Sequence, residues 1–213
     1  MKIGVIAGSN VDTQMGVNFL ISKGMEALGF PVASTAPEYE LLLMYPARIT
    51  DKIKEIVQKI KSEGINTIMI HCNSLSAIVD MDLIADEENL KIITPLLAYK
   101  KIGSYYRKIG VIAGNSQGLA GIENAILSVN PNCKIIGLGM VPLVIEIETK
   151  TTPKDIIEKF ALTKLLEFYT ANQVETIILG CTHFPYLYSE LKKRTLINLL
   201  DPGELMYELI LQD

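Results

Sequence analysis

Apolar positions along the chain fall into two textures. Short β-branched runs such as Ile3-Gly4-Val5-Ile6-Ala7 and Ile177-Ile178-Leu179 predict buried strands, whereas longer stretches with apolar residues three or four apart predict amphipathic helices. The clearest helix covers 50–62: Ile49, Ile53, Ile56, Val57 and Ile60 share one face, Lys52, Lys54, Lys59 and Lys61 lie elsewhere, and Gly64 ends it. Thr50 or Asp51 suits its N-cap. Strands are predicted near 2–7, 31–35, 66–71 and 91–94, and again near 108–113, 134–138, 175–179 and 196–199. Two further helices run from Thr152-Pro153 to about Tyr169 and onward from Pro202-Gly203. Strands alternating with helices mark βαβ units on a parallel sheet, so the expected fold class is α/β.

The chain also repeats itself. Lys2-Ile3-Gly4-Val5-Ile6-Ala7-Gly8 recurs residue for residue as Lys108-Ile109-Gly110-Val111-Ile112-Ala113-Gly114, 106 positions later. Thr67-Ile68-Met69-Ile70-His71-Cys72 lines up with Thr176-Ile177-Ile178-Leu179-Gly180-Cys181 at an offset of 109, so the two spacings differ by only a short loop. Two similar α/β halves follow. The expected division is a first domain over 1–100, onto which 200–213 packs back, and a second over 101–199.

Composition narrows the classes of function. The chain has 213 residues, 49% of them hydrophobic and 21% charged, which excludes disordered and fibrous classes. A net charge of −4 without a basic run leaves no electrostatic footprint for a nucleic acid partner. No apolar stretch is long enough to span a bilayer and the chain opens on a strand rather than a signal peptide, so no membrane partner and a cytoplasmic location are expected. Three cysteines cannot all pair internally, and their chemistry is therefore sought as thiols.

In open parallel sheets ligands bind beyond the carboxyl ends of the strands, and Cys72 and Cys181 both stand there. Each ends an apolar run and hands over to N-cap residue types, Asn73 and Ser74 in one case and Thr182 in the other. A helix N-terminus behind each sulfur is expected to lower both thiol pKa values. Facing halves would bring the two thiols to one cleft, a geometry suited to removing a proton from one face of a carbon and delivering one to the other. Asn73, Ser74 and Thr182 are the natural donors for a carboxylate there, and Ser9, Asn10, Asn115 and Ser116, which follow the duplicated first strand, either line the cleft or form turns. Cys133 has no partner motif and is expected to be a packing residue. Neither a paired metal chelate nor a nucleotide-binding motif is present in the sequence, so no metal is expected.

These residues resemble a known family. Cys72-Asn73-Ser74 is similar to the Cys-Asn-Thr motif, and Gly180-Cys181-Thr182-His183-Phe184-Pro185 to the Gly-Cys-Thr-His-Tyr-Pro motif, of the cofactor-independent aspartate/glutamate racemase superfamily. The resemblance runs over essentially the whole chain. It implies two pseudosymmetric α/β domains with the active site between them, racemisation of a small acidic amino acid without pyridoxal phosphate or any other cofactor, and a homodimer. It also implies that Cys72 and Cys181 are the two bases and that His183 assists the second.

The sequence departs from the family pattern in two places. Glutamate racemases carry Asp-Ser-Gly after the first strand; here the matching stretch is Ala7-Gly8-Ser9-Asn10, so the acid that partners the first cysteine is missing, and His71 is the neighbour that could take its place. Their Pro-Tyr-Gly loop is replaced by Tyr45-Pro46-Ala47-Arg48, which resembles the Pro-Asp-Arg segment of aspartate racemases, where the arginine grips the side-chain carboxylate. Arg107 precedes a strand and Arg194 ends a Lys-Lys-Arg tail, so Arg48 is the best clamp among three arginines and favours aspartate over glutamate. Hydantoin racemase, maleate isomerase and a bilobal small-ligand-binding protein remain as alternatives.

Overall fold

The computed structural model describes residues 1–212. The first half runs β1 (Lys2–Ala7), α1 (Asn10–Ser22), β2 (Glu26–Pro31), α2 (Ala36–Leu42), α3 (Pro46–Ser62), β3 (Thr67–Ile70), α4 (Asn73–Ile78), α5 (Met81–Glu88), β4 (Lys91–Ile93) and α6 (Pro95–Gly103). The second runs β5 (Lys108–Ala113), α7 (Ser116–Val129), β6 (Lys134–Gly139), α8 (Val141–Glu148), α9 (Pro153–Lys159), α10 (Leu162–Ala171) and β7 (Thr176–Gly180). A 3-10 helix over Phe184–Leu187, α11 (Tyr188–Lys192), β8 (Asn198–Leu200) and α12 (Pro202–Leu211) complete it.

The strands form two four-stranded parallel sheets with the same order, β2-β1-β3-β4 and β6-β5-β7-β8, flanked by helices. The α/β fold in two similar halves is as the repeat implies. The two copies of the heptapeptide become β1 and β5, each central in its sheet and buried from its second residue on. Central parallel strands are covered on both faces, which is why the repeated runs are continuously apolar rather than alternating.

Three elements differ from the sequence-based expectation. The second strand lies at Glu26–Pro31 rather than 31–35, pairing Lys2 with Glu26 through Ala7 with Pro31. It is an edge strand, half-exposed and interrupted by Gly29 and Pro31, and such a strand lacks the apolar continuity that marks a central one. The helix predicted from 153 to 169 is two helices, parted where Ala161 takes a left-handed backbone (φ 49°). The amphipathic helix over 50–62 starts four residues earlier, at Pro46, a first-turn position where the missing amide costs nothing.

The halves meet along α4 and α7. A side chain at Gly121 on α7 would lie 2.4 Å from Cβ of Ala77, so only glycine permits that approach. The final helix α12 places Met206 and Ile210 in a cluster with Ile3, Val5, Leu20 and Met69, against the first sheet. Cys133 is buried beside Ile109, Ile126 and Ile178 as a packing residue. Among the described residues, no helix is long and apolar enough to cross a membrane.

Candidate active site

The carboxyl ends of β1, β3, β5 and β7 open on one cleft. Cys72 and Cys181 both line it, one from each half, at equivalent places in the repeat. The heptapeptide's last residue, glycine in both copies, makes room beside each cysteine's surroundings. A side chain at Gly114 would lie 2.9 Å from Cys181 Sγ, and one at Gly8 would lie 2.7 Å from the ring of Tyr39, which covers Cys72.

The two sulfurs differ in surroundings. Cys72 is buried, 6% exposed, with Tyr39 Oη at 3.2 Å and Ser74 Oγ at 3.5 Å; those two hydroxyls are 3.2 Å from each other. Burial and then the charge of Asp12 push its thiol up to about 12, outweighing the hydrogen bonds from Ser74, Tyr39 and the Leu75 amide. The expected lowering by a helix N-terminus fails here, because α4 is only six residues long and lies behind a desolvated sulfur. Cys181 is half-exposed, and His183 Nδ1 lies 3.6 Å from its sulfur. No helix starts at this sulfur: Thr182 and His183 form a turn ahead of the 3-10 helix, so the helix-terminus expectation fails for Cys181 in geometry.

An acidic network underlies His183. Glu148 Oε1 is 3.1 Å from His183 Nε2 and also accepts from the Ser9 hydroxyl, while its Oε2 accepts from the Ala36 amide at 3.2 Å. Asp12 Oδ1 lies 3.8 Å from His183 Nδ1 and takes the Thr182 hydroxyl at 2.7 Å. Burial opposes a charge on His183, but Asp12, Cys181 and Glu148 prevail and hold its pKa well above the ordinary histidine value. Burial likewise opposes ionisation of Asp12 and of Glu148. His183, His71 and Thr182 nevertheless hold Asp12 below its ordinary value, and His183, Ser9 and the Ala36 amide do the same for Glu148. His71 Nδ1 is buried 3.3 Å from Asp12 Oδ1, without the alignment of a hydrogen bond.

Of the residues singled out in the sequence, Ser9, Asn73, Ser74, Asn115, Thr182 and His183 line the cleft with the two cysteines. Asn73 Oδ1 accepts the Tyr99 hydroxyl at 2.6 Å, and its buried Nδ2 has no partner. Asn10 and Ser116 do not line it: each is the first residue of its helix and points to solvent, while the preceding cap residue, Ser9 or Asn115, turns inward. Arg48 is also outside, exposed on α3 with its guanidinium 5.1 Å from the ring of Tyr45. It is no clamp for a ligand in this cleft. An acid does stand in the cleft shortly after the first strand, Asp12 on α1, where it contacts Thr182 and the two histidines.

Asp12, Tyr39, Glu40 and Glu148 are absent from the sequence-based candidates, although the spacing carries a signal for each. Asp12 precedes Gly16 and Leu20 by four and eight positions and so lies on the buried stripe of α1. Glu148 follows Val144, which lines the cleft, by one helical turn on α8. Tyr39 and Glu40 follow Ala36 by three and four on α2, the two offsets that share a helix face.

Comparison with known proteins adds sequence and fold likeness to this geometry. No family model matches the chain. Glutamate racemase of Limosilactobacillus reuteri is 27% identical over 168 residues, 75% of this chain and 62% of that protein. The crystal structure of glutamate racemase from Francisella tularensis in complex with D-glutamate superposes with a TM-score of 0.77 at 22% identity, covering 98% of this chain and 80% of that one. That of an aspartate racemase homologue from Pyrococcus horikoshii gives 0.69 at 14% identity, with 99% of both chains covered. The chain is therefore similar in sequence to glutamate racemases and shares its fold with solved structures of a glutamate racemase and an aspartate racemase homologue. It spans about three fifths of the length of the Limosilactobacillus relative, whereas its fold matches the Pyrococcus aspartate racemase homologue from end to end.

Proposed function

We propose that the protein is an isomerase that racemises an acidic amino acid by proton transfer between Cys72 and Cys181. The observation that carries this is the pair of thiols lining one cleft from equivalent strand ends of the two halves. One thiolate removes the α-proton while the opposite thiol delivers a proton to the other face of the carbon, and the roles exchange for the reverse direction. The thiol of Cys72, pushed up to about 12, suits the donor, and its reprotonation after each turnover is favoured by the same burial. His183, 3.6 Å from Cys181 and kept cationic by Asp12 and Glu148, stabilises negative charge on that side of the cleft.

The developing carbanion is stabilised through the α-carboxylate. Asn73 Nδ2 is a buried donor with no partner in the protein, and a carboxylate is the acceptor that satisfies it. Asp12, with Glu148 behind His183, supplies the negative potential that an α-ammonium needs.

Glutamate is the proposed substrate in preference to aspartate. The preference for aspartate rested on Arg48, which stands outside the cleft, and the relatives of Limosilactobacillus and Francisella are glutamate racemases. Proton NMR of L-glutamate and L-aspartate in D₂O, with enzyme and no added cofactor, tests both points. Loss of the α-proton signal with accumulation of the D-enantiomer is expected, faster for glutamate; full retention of both α-signals refutes the reading.

A further inference from the structure

Two carboxylate-bearing polar groups stand in and around the cleft and share no hydrogen bond. One is the network of Ser9, Asp12, Thr182, His183 and Glu148. The other is Glu40 with Asn115: Asn115 Nδ2 donates to Glu40 Oε1 at 2.7 Å, and Asn115 Oδ1 accepts the Gly118 amide at 2.8 Å. Glu40 is half-buried and comes from α2 of the first half, whereas Asn115 caps α7 of the second. Among the described residues, none that lines the cleft is a lysine or arginine.

A zwitterionic amino acid needs acceptors for its ammonium, donors for its α-carboxylate and a surrounding for its side chain. The Asp12 network offers the first and Asn73 Nδ2 the second, and the Tyr39 and Ser74 hydroxyls are engaged with Cys72 and each other, which leaves Glu40 and Asn115 as the polar pair for the side chain. We infer that Glu40 sets the charge of the side chain the cleft accepts: a carboxamide binds directly beside its carboxylate, and a second carboxylate binds only when Glu40 takes up a proton from solvent. Two carboxylates sharing a partly desolvated site cannot both stay ionised without a cation between them. The titratable groups that line the same cleft are Asp12, Tyr39, Cys72, Cys181 and His183, and the single cation among them is held by Asp12 and Glu148. Burial already pushes the Glu40 carboxyl up against the opposing bond from Asn115.

The inference rests on the racemase reading only in taking amino acids as the ligands. Calorimetric titration of the wild type with glutamate and with glutamine, in two buffers of different ionisation enthalpy at pH 8, counts protons taken up on binding. About one proton per glutamate and none per glutamine is expected. In turnover, the ratio of KM for glutamate to KM for glutamine should rise up to about tenfold per pH unit once Glu40 is ionised. Glu40→Gln keeps an acceptor for Asn115, abolishes the proton uptake and lowers KM for glutamate at pH 8 by about tenfold or more. Glutamate binding without proton uptake overturns the inference, as does failure of either amino acid to bind. A Glu40→Gln variant that binds both amino acids more weakly to the same degree also overturns it, because it assigns Glu40 to the ammonium. Proton uptake on glutamate binding without α-proton exchange sustains the inference while the racemase reading falls.

Discussion

Cys72 and Cys181 end equivalent strands of a duplicated sheet, yet one sits among hydroxyls and the other beside an imidazole. On the first side, Tyr39 and Ser74 touch the sulfur and no histidine does, and burial with Asp12 pushes the thiol up to about 12. On the second, His183 touches the sulfur and is itself gripped by two carboxylates. Duplication has equalised the strands and their order, and has left the turns after them and the electrostatics unequal. Asp12 links the two sides. It belongs to the first half, raises the Cys72 thiol, and holds the histidine of the second half in its cationic form. The proposed transfer of a proton from one sulfur to the other fits this asymmetry, because it asks different things of the two sides at any moment.

The largest effect expected from breaking the comparison is the loss of either sulfur. Cys72→Ser and Cys181→Ser each lower racemisation by about a thousandfold, the range of a lost general acid or base. Washout of the α-proton from a single enantiomer should survive in each variant, and from opposite enantiomers in the two. Full turnover in either variant defeats the two-base mechanism.

Asp12→Asn sharpens the comparison because its two consequences have opposite signs. Without that charge the Cys72 thiol titrates below about 12, read as faster alkylation at alkaline pH in a Cys181→Ser background, while His183 loses cationic character and kcat falls about a hundredfold. Stability follows the same logic. The carboxyls of Asp12 and Glu148 are depressed in the fold, so their contribution is present above their ordinary values of 3.8 and 4.5 and is lost as pH falls through the lower folded values. His183 is raised, so its contribution is complete below 6.5 and is lost as pH rises through its folded value. Thermal unfolding across pH should show both declines, and Asp12→Asn should weaken both; a variant whose unfolding follows the wild-type profile refutes the linkage.

Tyr39→Phe is the smallest change. It removes one hydrogen bond of 3.2 Å to Cys72 and one to Ser74, each contributing on the order of 1 kcal/mol. The Cys72 thiol should move further up and kcat should fall by no more than about tenfold, with Cys181 alkylation unchanged. A larger loss would make Tyr39 a direct participant in the chemistry.

The fold was legible because its evidence is local and repeated. A seven-residue identity and a cysteine at matching strand ends are visible in the chain itself, and apolar runs bounded by helix caps need no tertiary information. The edge strand at Glu26–Pro31 was not legible, since an edge is marked by the neighbour it lacks. At the site, residues adjacent in sequence to the repeat were found, namely both cysteines, Ser9, Asn115 and His183. Arg48 was misplaced because a residue type suited to a carboxylate says nothing about which way its helix face turns.

The sequence by itself determined the two parallel α/β halves and the place of one thiol at the carboxyl edge of each, because β-branched runs and caps act over a few residues. Only the tertiary structure decided what surrounds each thiol. Asp12 and Glu40 of one half reach Thr182, His183 and Asn115 of the other, up to 171 positions away, and those encounters depend on how α4 and α7 pack. Burial and the charge of Asp12 that burial brings close push the Cys72 thiol up, and neither is a property of any stretch of chain taken alone.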